Sequence, residues 1–359
     1  MEKIKLTNIC TPKQWKTIPT SELLSIGYPV YGANGIIGYY NTYNHEQAVI
    51  TITCRGASCG TINITKPKSY ITGNAMCLDN VREDINLNYL YFNLLFCDFN
   101  KVISGSAQPQ ITRQGLEKVE ISICPQTEQI SIVSILKTIE SLILARKKEL
   151  KYLDELVKAR FVEMFGCMKP TTTVKRYISE LRGGKSLAGT EKCKNKVLKT
   201  GAATFGWFDP KQYKYLPADY EPMPSHKVEV GDVIISRMNT PELVGACSYV
   251  FEVPEDMYYP DRLWKAVLQK TTNPIFLWQL LWDRDIRRQI IDKSGGTSGT
   301  MHNISKTQLL EIKCIEVTTD LQNQFADFVT QVNKSKVVVQ KALDEAQTLF
   351  DSLMQEYFG

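Results

Sequence analysis

Histidine is scarce in this 359-residue chain: His45, His226 and His302 are all there is. That scarcity argues against a zinc centre, which needs clustered His and Cys ligands, and against most acid–base catalysis near neutral pH. The ten cysteines are scattered, the closest pair being Cys54 and Cys59, so neither a C-x₂-C metal site nor a secreted disulfide framework is indicated. Reduced core thiols are the expectation. Long hydrophobic runs are missing as well: an apolar stretch such as Pro274–Trp282 is far short of the roughly 20 residues that cross a bilayer. The opening MEKIKLTNIC has Glu2 and no apolar segment, so no secretory signal is read and a cytoplasmic location is expected. Charge is nearly balanced, with 43 basic and 38 acidic residues, and a net +5 alone does not mark a nucleic-acid protein.

What is present is a repeat. SGSAQPQITRQGLEKVEIS (104–122) precedes a long apolar-periodic segment ending Phe165-Gly166; SGTMHNISKTQLLEIKCIEV (298–317) precedes another ending Phe358-Gly359. Ile111, Leu116 and Val119 match Ile304, Leu309 and Ile312 at an offset of 193. The openings, Leu6 and Ile9 against Ile178 and Leu181, are matched at 172, so the second copy is expected to hold the extra length. In the first long segment Ile132, Ile135, Ile139, Leu142, then Leu150, Leu153, Val157, Phe161 and Met164 step by 3 and 4. In the second, Phe325, Phe328, Val332, Val339, Leu343, Ala346, Phe350 and Leu353 do the same, and neither contains proline. Each reads as a helix with a narrow heptad seam, about 60 Å long for about 40 residues. The two seams are best buried against each other, antiparallel.

Between the helices, AVITIT (48–53), GTINIT (60–65), VEISI (119–123), GDVIIS (231–236) and CSYVFEV (247–253) read as strands. Helical patterns run near Leu87–Phe99 and from Pro274 to Ile291, with Pro274 in a first turn. The fold class is α+β: two mixed α/β domains separated by two long helices forming an antiparallel coiled coil, an internal repeat with pseudo-twofold symmetry. The expected boundaries are 1–125 and 178–320 for the domains, 126–166 and 321–359 for the helices, and 167–177 for a linker around Pro170.

No enzyme signature survives inspection. GGKS (183–186) ends like a phosphate-binding loop, but Ser179 stands where its first glycine belongs. Asn273-Pro274-Ile275-Phe276 is one proline short of the amino-methyltransferase motif, and no glycine-rich cofactor loop accompanies it. Asp261 with Glu311 and Lys313 could be forced into a metal-nuclease pattern, but the first copy has Lys118 and Glu120 at the latter two positions. A binder rather than a catalyst is expected, with no metal and no catalytic residue in this chain.

Several stretches resemble one family. YPVYGANGIIGYY (28–40), TCRGASCGTIN (53–63), TGNAMCL (72–78) and the SGSAQPQITRQGLEKVEI junction, then RGGKS (182–186), VLKTGAATFG (197–206) and VGDVIISRMNTPELVGACS (230–248), are similar to motifs of the DNA specificity subunit of type I restriction-modification systems. That resemblance implies two target recognition domains reading a bipartite, asymmetric stretch of double-stranded DNA. It also implies two modification subunits that methylate adenine with S-adenosylmethionine, and restriction subunits using ATP and Mg. A coiled-coil scaffold that never touches DNA, or an enzyme with an unrecognised site, are the rival classes. Base edges are read by Arg, Lys, Asn, Gln and Ser on loops. The DNA-binding candidates are Asn34, Arg55, Ser58, Ser106, Gln108, Gln110 and Arg113 in the first domain. In the second they are Arg182, Lys185, Trp207, Arg237, Asn239, Ser298 and His302. Net charges of +2 for 1–125 and +3 for 170–320 suggest that neither domain binds DNA strongly alone.

Overall fold

The structure is a computed structural model; it describes every residue except Met1, Asn34, Ser106, Ala107, Gly299 and Thr300, and omits the side chains of Thr297 and Ser298. The chain divides into two compact units, Met1–Glu149 with Val339–Gly359, and Leu150–Val338.

In the first unit a four-stranded antiparallel sheet has the order Thr11–Gln14, Ala75–Asp79, Ile50–Thr53, Ile62–Ile64. A three-stranded sheet has the order Gly35–Tyr40, Tyr28–Gly32, Tyr70–Ile71, the last pair parallel. Helix α1 (Leu87–Phe96) starts where the Asn86 side chain accepts from the amides of Asn88 and Tyr89. A short hairpin, Ile103–Ser104 with Gln110–Ile111, leads into the single-turn α2 (Arg113–Leu116). The strand Glu120–Ile123, paired with Glu2–Lys5, then feeds the 40-residue α3 (Gln126–Phe165). Ile50, Ile52, Met76 and Leu78 alternate onto one face and pack with Leu90, Leu94 and Leu116; Ala75 and Cys77 face the other way, toward Tyr31 and Ile71.

The second unit repeats this order. Its four-stranded sheet runs Ile178–Gly183, Leu263–Leu268, Val233–Ser236, Cys247–Tyr249, and its three-stranded sheet Tyr213–Tyr215, Lys196–Leu198, Met257–Tyr258, again with the last pair parallel. Helices α4 (Pro274–Leu281), α5 (Arg284–Lys293) and α6 (Lys306–Leu310) precede the strand Lys313–Cys314, paired with Thr172–Thr173, and the 40-residue α7 (Thr319–Phe358). Met238–Asn239, Met301–Asn303 and Gly295–Ser298 form the counterpart of the short hairpin, enlarged by one strand.

Three expectations are corrected. The openings match at an offset of 168, not 172: Leu6 and Val174 donate to Val119 and Ile312, and Ile9 and Tyr177 then donate back to Leu6 and Val174. Much of the extra length lies in two loops, between Leu198 and Tyr213 against Gly32 to Gly35, and between Tyr215 and Val233 against Tyr40 to Ile50. The helix read over Pro274–Ile291 is two helices, because the Asp283 carboxylate accepts from Asp285 and Ile286 and starts α5 afresh. The seam in α3 is turned by one residue: Leu136 and Ile143 are buried, whereas Ile135 and Leu142 are 41% and 44% exposed. Ile132 and Ile139 are common to both stripes, so the 3/4 spacing could not choose between them.

Within each unit the helix segments pair as the seams require. In the first, Ile132, Val133 and Leu136 of α3 share a cluster with Met354 and Phe358 of α7 and with Tyr89 and Phe92 of α1. In the second the pairs run antiparallel: Asp154 with Lys336 at 2.6 Å, Arg160 over the Phe328 ring, and Phe165 against Phe325. Phe161, Phe165, Phe276 and Phe325 close that end, with centroid separations from 5.1 to 6.3 Å. A buried glutamine fastens each junction. Gln129 accepts from Asn86 N–H and donates to the carbonyls of Asp84 and Cys124; Gln322 accepts from Asn273 N–H and donates to that of Val317.

Candidate nucleic-acid interface

The central strand of each four-stranded sheet ends in a loop that is zipped to the short hairpin. In the first unit the strand Ile50–Thr53 runs on through Cys54, whose carbonyl accepts from Ile111, to Arg55, which bridges Gln110; Gly56 N–H donates to Pro109. In the second, Val233–Ser236 runs on through Arg237, whose carbonyl accepts from Ile304, and Met238 pairs with Asn303. Gln110 and Asn303 stand 193 positions apart, as do Ile111 and Ile304, so the same join is made twice from different side chains. Each loop returns to its strand through a glycine: Gly60 N–H donates to Thr53 and Gly245 N–H to Ser236. Both have positive φ, +93° and +69°, and a Cβ on Gly245 would meet Ile290 at 2.6 Å.

The first loop displays Arg55 exposed and Ser58 half-buried in the turn from Gly56 to Cys59, beside exposed Gln108 and Gln110; Arg113 stands exposed at the start of α2. Arg55, Gln110 and their neighbours are therefore one patch, though far apart in sequence. Asn34 and Ser106 lie outside the described residues. Beneath the patch the Gln14 amide donates to the Cys54 sulfur at 3.0 Å and to the Gly73 carbonyl at 2.8 Å. Burial raises the Cys54 thiol pKa, with the Gln14 hydrogen bond and Arg55 opposing it.

In the second unit Asn239 and His302 are direct cross-strand partners, and Arg237 Nε donates to Asn303 Oδ1 at 3.3 Å. The Asn239 amide is engaged internally, donating to Thr204 Oγ1 and Ser236 Oγ, and His302 Nδ1 is 2.9 Å from Ser294 Oγ. Thr204 ties in the loop that presents Trp207, 61% exposed and 5.8 Å from the equally exposed Phe205 ring. The backbone of Ser298 belongs to this hairpin, and its side chain lies outside the described residues. Two candidates stand apart from this group. Arg182, on the edge strand, is held by Glu180 at 2.7 Å, and that ion pair raises its pKa. Lys185 follows Gly184, whose α-carbon packs against the Tyr259 carbonyl, and its ammonium sits 6.0 Å from the Tyr220 ring.

Sequence reasoning missed one residue of this site. Arg287, in the middle of α5, is buried, lies over the Trp282 ring at 5.2 Å, and donates from Nη2 to the Glu242 carbonyl of the Arg237–Gly245 loop. Burial lowers its pKa, and Nη1 finds no partner among the described residues. In sequence it is one arginine of an Arg-Arg pair on an amphipathic helix, with nothing to set it apart. The Asn273-Pro274-Ile275-Phe276 motif is structural: the Asn273 side chain accepts from Ile275 and Phe276 and caps α4, as Asn86 caps α1.

Residues 1–153 match the family model described as the type I restriction modification DNA specificity domain. The chain is 30% identical over 115 residues to the type I restriction enzyme EcoprrI specificity subunit of Escherichia coli. It is also 30% identical over 129 residues to the putative specificity subunit S.HindORF215P of Haemophilus influenzae. These matches cover 32% and 35% of the chain, and 28% and 34% of the two relatives' lengths. Over its whole length the chain shares a fold with the type I restriction-modification S subunit from M. genitalium, at a TM-score of 0.66 and 15% identity, covering 100% of this chain and 96% of that one. It also matches a chain from a structure of complex assembly and conformational transition in a type I R-M system, at 0.52 and 13% identity, covering 99% and 97%. The resemblance and the fold class read from the sequence are borne out.

Proposed function

We propose that this chain, whose first 153 residues carry a type I restriction modification DNA specificity domain, is a DNA specificity subunit that reads a two-part asymmetric target, one part with each unit. The observation that supports this reading is the join made twice: a central-strand loop zipped to a hairpin, with the same backbone hydrogen bonds and different exposed side chains. A shared scaffold with divergent loops lets two half-sites differ without a second fold. Residues 1–125 and 178–320 are the two recognition domains, and the long helices join them.

Arg55, Gln108, Gln110 and Arg113 form the first reading patch, with Ser58 in the turn beside them. Arg237, Asn239, His302 and Trp207 form the second, in which Arg287 positions the loop. Arg182 is assigned to support of the strand edge. The chain itself catalyses nothing; two modification subunits methylate adenine with S-adenosylmethionine, and restriction subunits supply ATP- and Mg-dependent cleavage. Small net charges on both domains fit a subunit that shares phosphate contacts with those partners.

The test is DNA retention by this chain co-expressed with its modification subunit, measured against salt and against scrambled sequence. Log affinity is expected to fall linearly with log salt, with a preference for one bipartite sequence. A flat salt response with no sequence preference would leave the scaffold reading standing.

A further inference from the structure

On the far side of the first unit's four-stranded sheet from its main core, His45, Cys77 and Asp79 bring Nε2, Sγ and a carboxylate oxygen within 4.8 Å of one another. His45 and Asp79 also line a cavity of about 360 Å³ with Trp15, Glu46 and Leu87. The hydrogen bonds around the group define its chemistry. Asn44 is held both ways by Ile71, its Nδ2 donating to the carbonyl at 3.0 Å and its Oδ1 accepting the N–H at 2.9 Å. That orientation makes Asn44 Oδ1 an acceptor toward His45 Nδ1, 2.7 Å away, so Nδ1 carries a proton. Nε2 lies 3.0 Å from Asp79 Oδ1, an ion-pair contact when the imidazole carries both protons, while Asp79 Oδ2 accepts the Trp15 indole N–H at 3.1 Å. That gap is filled either by a second imidazole proton or by a metal ion that Nε2 and the carboxylate share.

The repeat supplies an internal control. Cys77 pairs with Thr51, the second residue of its central strand, and Lys265 pairs with Ile234, the second residue of the other. Lys265 therefore occupies the Cys77 position, and its ammonium lies 2.7 Å from Glu229 and 2.8 Å from Asp232. The Tyr259 hydroxyl donates to Asp232 Oδ2, although Asp232 precedes the central strand and does not stand at the position of Asp79. One copy thus carries its own cation at this place in the sheet, and the other carries a cysteine beside a histidine and a carboxylate.

We propose that His45 Nε2, Cys77 Sγ and Asp79 Oδ1 bind one zinc-type divalent cation, with a fourth position open to the cavity. Neighbouring ligands of a tetrahedral zinc lie about 3.3–3.6 Å apart for bonds of 2.0–2.3 Å. His45 Nε2 and Asp79 Oδ1 are 3.0 Å apart, and all three ligand atoms lie within 4.8 Å of one another. The Asn44 amide and the Trp15 indole are the outer partners that such ligands normally have. Binding displaces the Cys77 thiol proton to solvent and pins the loop carrying His45 to the strand Ala75–Asp79. Sequence spacing could not reveal the group, since His45 is 32 residues from Cys77.

Full-length protein is equilibrated with zinc, gel-filtered and analysed for metal, and separately loaded with cobalt(II) for absorption spectroscopy. One equivalent per chain, with visible ligand-field bands and a thiolate-to-cobalt charge-transfer band, is expected. H45Q and C77A lose both signals, C247A keeps them, and N44A weakens zinc affinity about 10–100-fold. Folded wild-type protein that retains no zinc would overturn the proposal and assign a proton to the gap between His45 and Asp79. So would a cobalt spectrum without the thiolate band, a measurement on the wild type that does not depend on any variant folding.

Discussion

Replacing Gln129 by leucine tests whether buried amides lock each unit's sheets and short helices onto its long-helix segment. Gln129 is 1% exposed and makes three hydrogen bonds, accepting from Asn86 N–H at 2.8 Å and donating to Asp84 and Cys124 carbonyls at 3.1 and 2.9 Å. Leucine has nearly the same volume but leaves one N–H and two carbonyls unpaired, each costing about 1–3 kcal/mol where no water enters. The added apolar surface returns about 1–2 kcal/mol, so the net destabilisation is about 1–8 kcal/mol. Gln322 makes two such bonds, and the matching leucine substitution is expected to cost less, about 0–5 kcal/mol. The assay is urea denaturation of the full chain with hydrogen exchange read by mass spectrometry. Exchange should rise first around Asn86–Phe92 in the Gln129 variant and around Asn273–Leu277 in the other. A stabilised Gln129→Leu protein, or faster exchange in the wrong unit, would refute the reasoning.

Five further outcomes follow from the structure. Burial pushes the thiols of Cys10, Cys247 and Cys314 up to about 12, with Asp79 and Glu316 adding to the rise at Cys10 and Cys314 and Arg287 opposing it at Cys247. Alkylation near pH 8 should therefore label exposed Cys167 and spare those three until the chain unfolds. Because their folded pKa values are raised, the stability they contribute is complete below about pH 9 and drains as pH climbs from 9 toward 12, which alkaline denaturation with Cys→Ala controls will show. Asn273→Ala removes an N-cap and should cost about 0.5–2 kcal/mol in a melt, leaving any methylation by the assembled complex unchanged in kind. Arg55→Ala and Arg237→Ala should weaken specific DNA binding by the assembled complex about 5- to 150-fold, as loss of about 1–3 kcal/mol requires. Wild-type affinity in both would remove these loops from the interface. Arg287→Met, which frees the Glu242 carbonyl, should reduce binding through the second unit with no direct contact of its own.

The sequence carried the helices and the duplication plainly. Forty residues without proline, apolar at 3 and 4, admit little but a long helix, and Ile111, Leu116 and Val119 recur because both copies bury them under the same sheet. It misplaced the opening of the second copy because short apolar patterns fit more than one offset, and only the hydrogen bond from Val174 to Ile312 picks out 168. It also placed the α3 seam one residue away, since apolar residues stand at both 135 and 136, and 142 and 143. Of the candidate reading residues, the glycine-rich loops and the junction hairpin were visible as separate motifs. That Arg55 lies beside Gln110, and Asn239 beside His302, was not, because strand pairing across more than 50 residues leaves no periodic trace.

What the sequence determined by itself was local and repetitive: helix period, turn glycines, and the order of motifs along two copies. What the tertiary structure decided was proximity. It joined each central-strand loop to its hairpin, buried Arg287 under one of them, turned the NPIF motif into a helix cap, and set His45 against Cys77 and Asp79. The physical reason is that periodicity reports which face of an element is buried, whereas the partner on that face is chosen by sheet register and packing between residues far apart in the chain.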